Sequence, residues 1–214
     1  MSHPAQDREL LEGLPHAPLT FARREYLVSS RTDELTKISD WIENTAADRR
    51  IFWLHGAAGM GKTTLSRHLR NVLSESGRLA AHFFFSRNNQ KQEDPGFIIG
   101  TLAYQLAHVD QEMGNVICKA IRSRSSDQQF SSQFQARVLN PLLAASFPLP
   151  MVIILDALDE YKDIVDLLDV LIELVPKMPR NVKIFLTSRP TFQSRLEYNN
   201  SKRMSWGFIL PPTA

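Results

Sequence analysis

The run Gly56-Ala57-Ala58-Gly59-Met60-Gly61-Lys62-Thr63 constrains this chain more than any other segment. Before it stand Ile51, Phe52, Trp53 and Leu54, an apolar run of strand character. After it, Thr64, Leu65, Ser66, Arg67, His68 and Leu69 carry apolar residues at helical spacing. Strand, glycine-rich turn and helix in that order belong to a parallel α/β arrangement, in which a helix returns the chain to begin the next strand. The spacing G-x-x-x-x-G-K-[ST] is that of a phosphate-binding loop. Glycine reaches positive φ without a Cβ clash, so the backbone can curl and its N–H groups can converge on an anion. The positive end of the following helix adds to that field. In this reading Gly56, Ala57, Ala58, Gly59, Met60, Gly61, Lys62, Thr63 and Thr64 line the phosphates of a nucleotide. The Lys62 ammonium reaches the β- and γ-phosphates and the Thr63 hydroxyl takes a Mg²⁺ position. Thr64 adds a hydroxyl or N–H toward the α-phosphate, and Met60 contributes its backbone.

The rest of the chain repeats the alternation of strand and helix. Apolar runs at residues 79–86, 151–155 and 182–186 read as strands. The second is apolar at every position, as in a parallel sheet covered on both faces. Residues 204–210 are a candidate fifth strand. Helices are expected over 30–43, 62–73, 95–106, 113–122, 133–145 and 164–174, with a short one at 192–197. The expected fold class is α/β: a doubly wound, mainly parallel five-stranded sheet flanked by helices. Residues 1–29, with Pro4, Pro15 and Pro18, read as a mobile N-terminal arm, 30–190 as the nucleotide domain, and 191–214 as a short, truncated tail.

A phosphate loop needs a carboxylate for its Mg²⁺ at the C-terminal end of a strand beside it. Met151-Val152-Ile153-Ile154-Leu155-Asp156 supplies one. A carboxylate ending a wholly apolar strand is costly without a partner, so Asp156 is the candidate metal ligand, directly or through water. Asp159 and Glu160 follow. Glu160, or Asp159 in its place, is the candidate to orient or deprotonate an attacking water. The alternative is an acidic pair at a helix N-terminus, favourable with the helix dipole. The strand at 182–186 leads into Thr187-Ser188-Arg189-Pro190. Arg189 stands either as a γ-phosphate sensor or as one half of a structural salt bridge.

Basic and acidic residues nearly balance, 25 against 23, and the basic ones are scattered. That pattern suits a solvated surface and argues against a nucleic-acid track. Cys118 is alone, so an intrachain disulfide and a cysteine zinc site are both excluded. No apolar run approaches the ~18 residues of a membrane span, and the first residues lack a signal-type apolar region. A cytoplasmic location without a membrane span is the expectation.

Three segments together resemble the NACHT group of signal-transduction NTPases, within the STAND class of P-loop ATPases. They are the loop in its setting FWLHGAAGMGKTTL, the acidic turn Asp156-Ala157-Leu158-Asp159-Glu160 with its small second residue, and Thr187-Ser188-Arg189-Pro190. LAAHFFFSR, TLAYQLA and the positions Arg31, Leu35, Ile38 and Trp41 are similar to fungal members of the group, including those like the nephrocystin-3 N-terminal region. The resemblance implies ATP (or GTP) with Mg²⁺, slow hydrolysis as a nucleotide-gated switch, and self-association or association with related NACHT proteins. A nucleotide-holding interaction module without useful turnover is the alternative. The N-K-x-D signature that reads guanine in Ras-type GTPases is absent, which favours ATP.

Overall fold

The computed structural model describes residues 4–18, 31–45, 49–123, 129–190 and 205–209. In chain order the helices are α1 (Pro4–Glu12), α2 (Thr32–Glu43), α3 (Lys62–Glu75), α4 (Pro95–Val109), α5 (Gln111–Arg122), α6 (Phe130–Phe134), α7 (Asn140–Ala144) and α8 (Ile164–Leu174). The strands are β1 (Ile51–His55), β2 (Leu79–Phe84), β3 (Met151–Asp156), β4 (Val182–Ser188) and β5 (Ser205–Ile209). The short helix expected at 192–197 lies outside the described residues.

One compact unit comprises Leu19–Ser86, Pro148–Lys162 and Arg180–Ala214 and holds the sheet. Its strands run in the order β2-β3-β4-β1, all parallel, with β5 pairing parallel with β1 at the outer edge. Every residue of β1, β3 and β4 is buried, which is why these segments read as predominantly apolar, with Lys183 the exception inside β4. On one face Phe52, Leu54, Val152, Ile154 and Phe185 meet Ile38, Trp41 and Ile42 of α2 and Leu65, Leu69 and Leu73 of α3. Both helices repeat their apolar residues at a spacing of three and four, so each turns one stripe to the sheet. The β4 register matters for function. β4 lies between β1 and β3, pairing Leu54 with Thr187 on one side and Leu155 with Leu186 on the other.

The second unit comprises Met1–Pro18, Arg87–Phe147 and Asp163–Pro179 and is helical. α4 buries Phe97, Ile98, Ile99, Leu102, Ala103 and Leu106, apolar nearly all round. Asp94 caps it by accepting from the Gly96 N–H at 2.8 Å, with Pro95 in the first turn. The helix expected at 133–145 begins earlier, at Phe130, and carries a π-helical stretch over Gln135–Leu139. Asn140 N–H donates to Gln135 O there. Pro141 follows and has no N–H for the carbonyl four residues back, so the α-pattern cannot continue through it.

Residues 4–12, expected within a mobile arm, instead form α1. Its Asp7 pairs with Arg122 of α5, and Glu12 accepts from the Tyr104 hydroxyl of α4 at 3.3 Å. The following segment crosses α4 at Gly100, where a Cβ would lie 2.2 Å from Pro15 O. Ala17 N–H donates to Thr101 Oγ1 at 3.0 Å, and His16 stacks on Tyr104 at 3.8 Å. These anchors are polar, aromatic and about a hundred residues distant in sequence, so local apolar periodicity does not reveal them.

Candidate functional site

β1 carries the chain to Gly56, and α3 starts at Lys62. Between them Gly59 and Gly61 sit at φ +80° and +83°, a region an L-residue enters only at a cost. Gly61 O accepts from the Leu65 N–H at 2.9 Å and so opens the helix. Ala57, Ala58, Gly59 and Gly61 are exposed, while Met60, Lys62, Thr63 and Thr64 are half-buried. The Lys62 ammonium donates to Gly56 O at 2.7 Å and to Ala57 O at 2.8 Å, spanning the loop. Burial lowers the Lys62 pKa, and the nearby Asp159 and Asp156 carboxylates partly offset that. The lysine and the acids at and just beyond the end of β3 therefore share one electrostatic neighbourhood. Met60 departs from the backbone-only reading, because its side chain packs against the α2–α3 core cluster.

Asp156 ends β3 with only 1% of its surface exposed. Its Oδ1 accepts from the Ser66 hydroxyl of α3 and from the Thr187 hydroxyl of β4, each at 2.6 Å. Thr187 Oγ1 in turn accepts from the Ala157 N–H at 2.8 Å. Such charge-assisted bonds to a buried carboxylate are the strong ones, and they aim Asp156 toward the helix that follows the phosphate loop. Ser66 has no place in the motifs as read, and Thr187 stands in one without an assigned partner. A hydroxyl one helical turn beyond Thr63 was the available signal for Ser66. The signal for Thr187 was its place at the end of the strand inserted between β1 and β3.

Ala157 takes a left-handed conformation, φ 61° and ψ 46°. That turn starts the 3₁₀ segment Leu158–Glu160, closed by Glu160 N–H donating to Ala157 O at 2.8 Å. Asp159 and Glu160 are thereby delivered to Arg189. Arg189 Nε lies 3.0 Å from Asp159 Oδ2, its backbone N–H donates to Asp159 Oδ1 at 3.0 Å, and a terminal guanidinium nitrogen lies 3.6 Å from Glu160 Oε1. Arg189 is thus ion-paired with both acids of the turn. Ser188 accepts from the Trp53 indole N–H at 2.9 Å. Among the described residues no group of three or more His, Cys, Asp or Glu side chains gathers as a metal cage. The residues expected to hold the ion are Thr63, in the first turn of α3, and Asp156, whose carboxylate bonds Ser66 of the same helix. That sparse, hard set fits Mg²⁺, which keeps several waters and takes the rest of its shell from phosphates.

A parallel sheet flanked by helices, with a glycine loop after β1 and an acid at the end of β3, defines an α/β fold of the P-loop type. Within it, the chain belongs to the nephrocystin 3 N-terminal family, whose pattern matches residues 33–189. Its fold is similar to that of a chain in a structure of Drosophila ORC bound to DNA, with a TM-score of 0.50 and 14% identity. The similarity covers 97% of this chain and 32% of that one, so this chain spans about a third of its length. No curated protein matches the sequence. Among the described residues no helix is long and apolar enough to cross a membrane.

Proposed function

We propose that this chain is a Mg²⁺-dependent nucleoside triphosphate module, binding ATP or GTP and hydrolysing it slowly as a signalling switch of the NACHT type. Residues 30–190 would form the working domain, in the cytoplasm, acting through self-association or association with related proteins. The observation that supports it is the placement of Asp156: buried at a strand end, bonded to Ser66 of the loop's own helix, and in the electrostatic field of Lys62. Lys62 and the loop amides bind and orient the phosphates, and Thr63 and Asp156 hold the ion. The ion, when bound, neutralises charge on the β- and γ-phosphates. Glu160, with Asp159 beside it, aligns water, and Arg189 is the cation within reach of both.

A second reading, nucleotide binding without useful turnover, draws on the same Arg189 contacts, since both water-activating candidates are engaged by one guanidinium. Two measurements test these readings. Titration calorimetry with Mg–ATP on Lys62→Ala should show affinity falling by about a hundredfold or more, with the melting temperature held. Retained affinity overturns the site. Single-turnover hydrolysis by wild type and Glu160→Gln then divides the two. A rate above background that the substitution removes supports the switch, and background rates in both leave only the binding module.

A further inference from the structure

We infer that Arg31 is a positioning residue for the phosphate loop, acting on the peptide between Met60 and Gly61. Its buried guanidinium joins two parts of the chain: Nη1 pairs with Glu34 Oε1 at 3.2 Å, and Nη2 donates to Met60 O at 3.2 Å. Arg31 immediately precedes α2, and Glu34 lies in the first turn of that helix. α2 is itself fixed, because Ile38, Trp41 and Ile42 share one core with Phe52 and Leu54 of β1 and with Leu65 and Leu69 of α3. The Met60 side chain packs against that same core. Met60 is therefore gripped twice, at its side chain by the core and at its carbonyl by Arg31.

The consequence lies in the backbone. A trans peptide is planar, so a carbonyl turned toward Arg31 turns the Gly61 N–H the opposite way. Glycine stands on both sides of Met60, and these are the joints with the widest conformational freedom. Arg31 selects one orientation of this peptide from the several that the glycines allow. Amides aimed before the anion arrives cost nothing to reorganise when it binds. A planar fork with several donors can serve Glu34 and Met60 together, which a point-charge ammonium does less well. Only the effect on affinity rests on the proposed nucleotide site; the effect on the loop does not.

Hydrogen exchange of the loop amides over residues 57–61, measured without nucleotide, provides the test, followed by Mg–ATP calorimetry. Arg31→Met removes both donors and keeps an apolar stem; Arg31→Ala removes the stem as well. In both, the loop amides should exchange about tenfold faster and Mg–ATP affinity should fall about tenfold, while α3 amides keep their protection. Glu34→Gln leaves the bond to Met60 O in place and should leave loop exchange near wild type. If Arg31→Ala fails to fold, Arg31→Met carries the comparison. Wild-type exchange in the loop of Arg31→Met overturns the inference. So does equal loosening in Glu34→Gln, which would make the contact a plain ion pair. A loosened loop in a protein whose wild type does not bind Mg–ATP sinks the nucleotide site and leaves the role of Arg31 standing.

Discussion

The phosphate loop and the acidic strand tips are neighbours in one unit, yet they are built by opposite means. The loop is made of backbone. Two glycines at positive φ set its course, and Lys62 closes it on carbonyls five and six residues back. The acidic edge is made of side chains drawn from three distant segments: Ser66 with Asp156, Asp156 with Thr187, and Arg189 with Asp159 and Glu160. A structure formed mainly by local backbone geometry is most sensitive at its glycines and at the few side chains, here Lys62 and Arg31, that bond its carbonyls. One formed by long-range side-chain bonds behaves the other way.

The largest effect expected at the acidic edge is from Asp156→Asn. The amide keeps the shape and still accepts a hydroxyl, but it loses the charge that an ion needs. Mg–ATP affinity should fall about thirtyfold, roughly 2 kcal/mol, while affinity in EDTA stays at the wild-type value. Calorimetry with and without Mg²⁺ reads this directly. An unchanged Mg²⁺ dependence would mean that the loop alone makes the site.

The opposite end of β4 offers a second long-range contact. Lys183 is 1% exposed, lies 5.1 Å from the Trp41 ring centre and donates to Trp41 O and, at 2.8 Å, to Asn44 O. Burial brings its pKa down to about 8 from the ordinary 10.5. Between those values the unfolded chain holds a proton that the folded one has released. Stability from this group therefore rises as pH climbs from about 8 toward 10.5 and is flat below, a gain on the order of 3 kcal/mol. Urea melts of wild type and Lys183→Met across that window should differ in slope, with the variant lacking the rise.

Thr187→Val comes next. It removes one hydroxyl that both donates to Asp156 and accepts from the Ala157 N–H, and the loss should be about 1.5 kcal/mol. Under the same melts Thr63→Val, in the half-exposed first turn of α3, should change little. A larger loss at Thr63 than at Thr187 would reverse the contrast between the two halves of the site.

The same contrast explains what could be read in advance. The loop, the burial of β1, β3 and β4 and the amphipathic stripes of α2 and α3 each follow from residues within a few positions of one another, so spacing exposes them. The place of β4 between β1 and β3 does not, because strand order is decided by crossovers and not by any one strand's composition. Ser66 and Thr187 look like ordinary polar residues until Asp156 stands beside both. α1 escaped notice because its anchors, Arg122 and Tyr104, lie far along the chain.

The smallest expected effect tests the joint between the two modes of construction. Ala157 is the one residue other than glycine at positive φ among the described residues, and it turns the chain from the buried carboxylate toward Asp159 and Glu160. A Cβ in that conformation costs about 1 kcal/mol, which glycine escapes, though glycine also gains freedom in the unfolded chain. The two terms oppose, and the strain is the larger for a residue so far into the left-handed region. Ala157→Gly should therefore stabilise the protein by about 0.5 kcal/mol, and Ala157→Val should destabilise it by more than that, since β-branching is least tolerated there. Denaturant melts of the pair decide it. Equal stability of Gly, Ala and Val would show that the turn yields to its side chain, and that the positions of Asp159 and Glu160 do not depend on it.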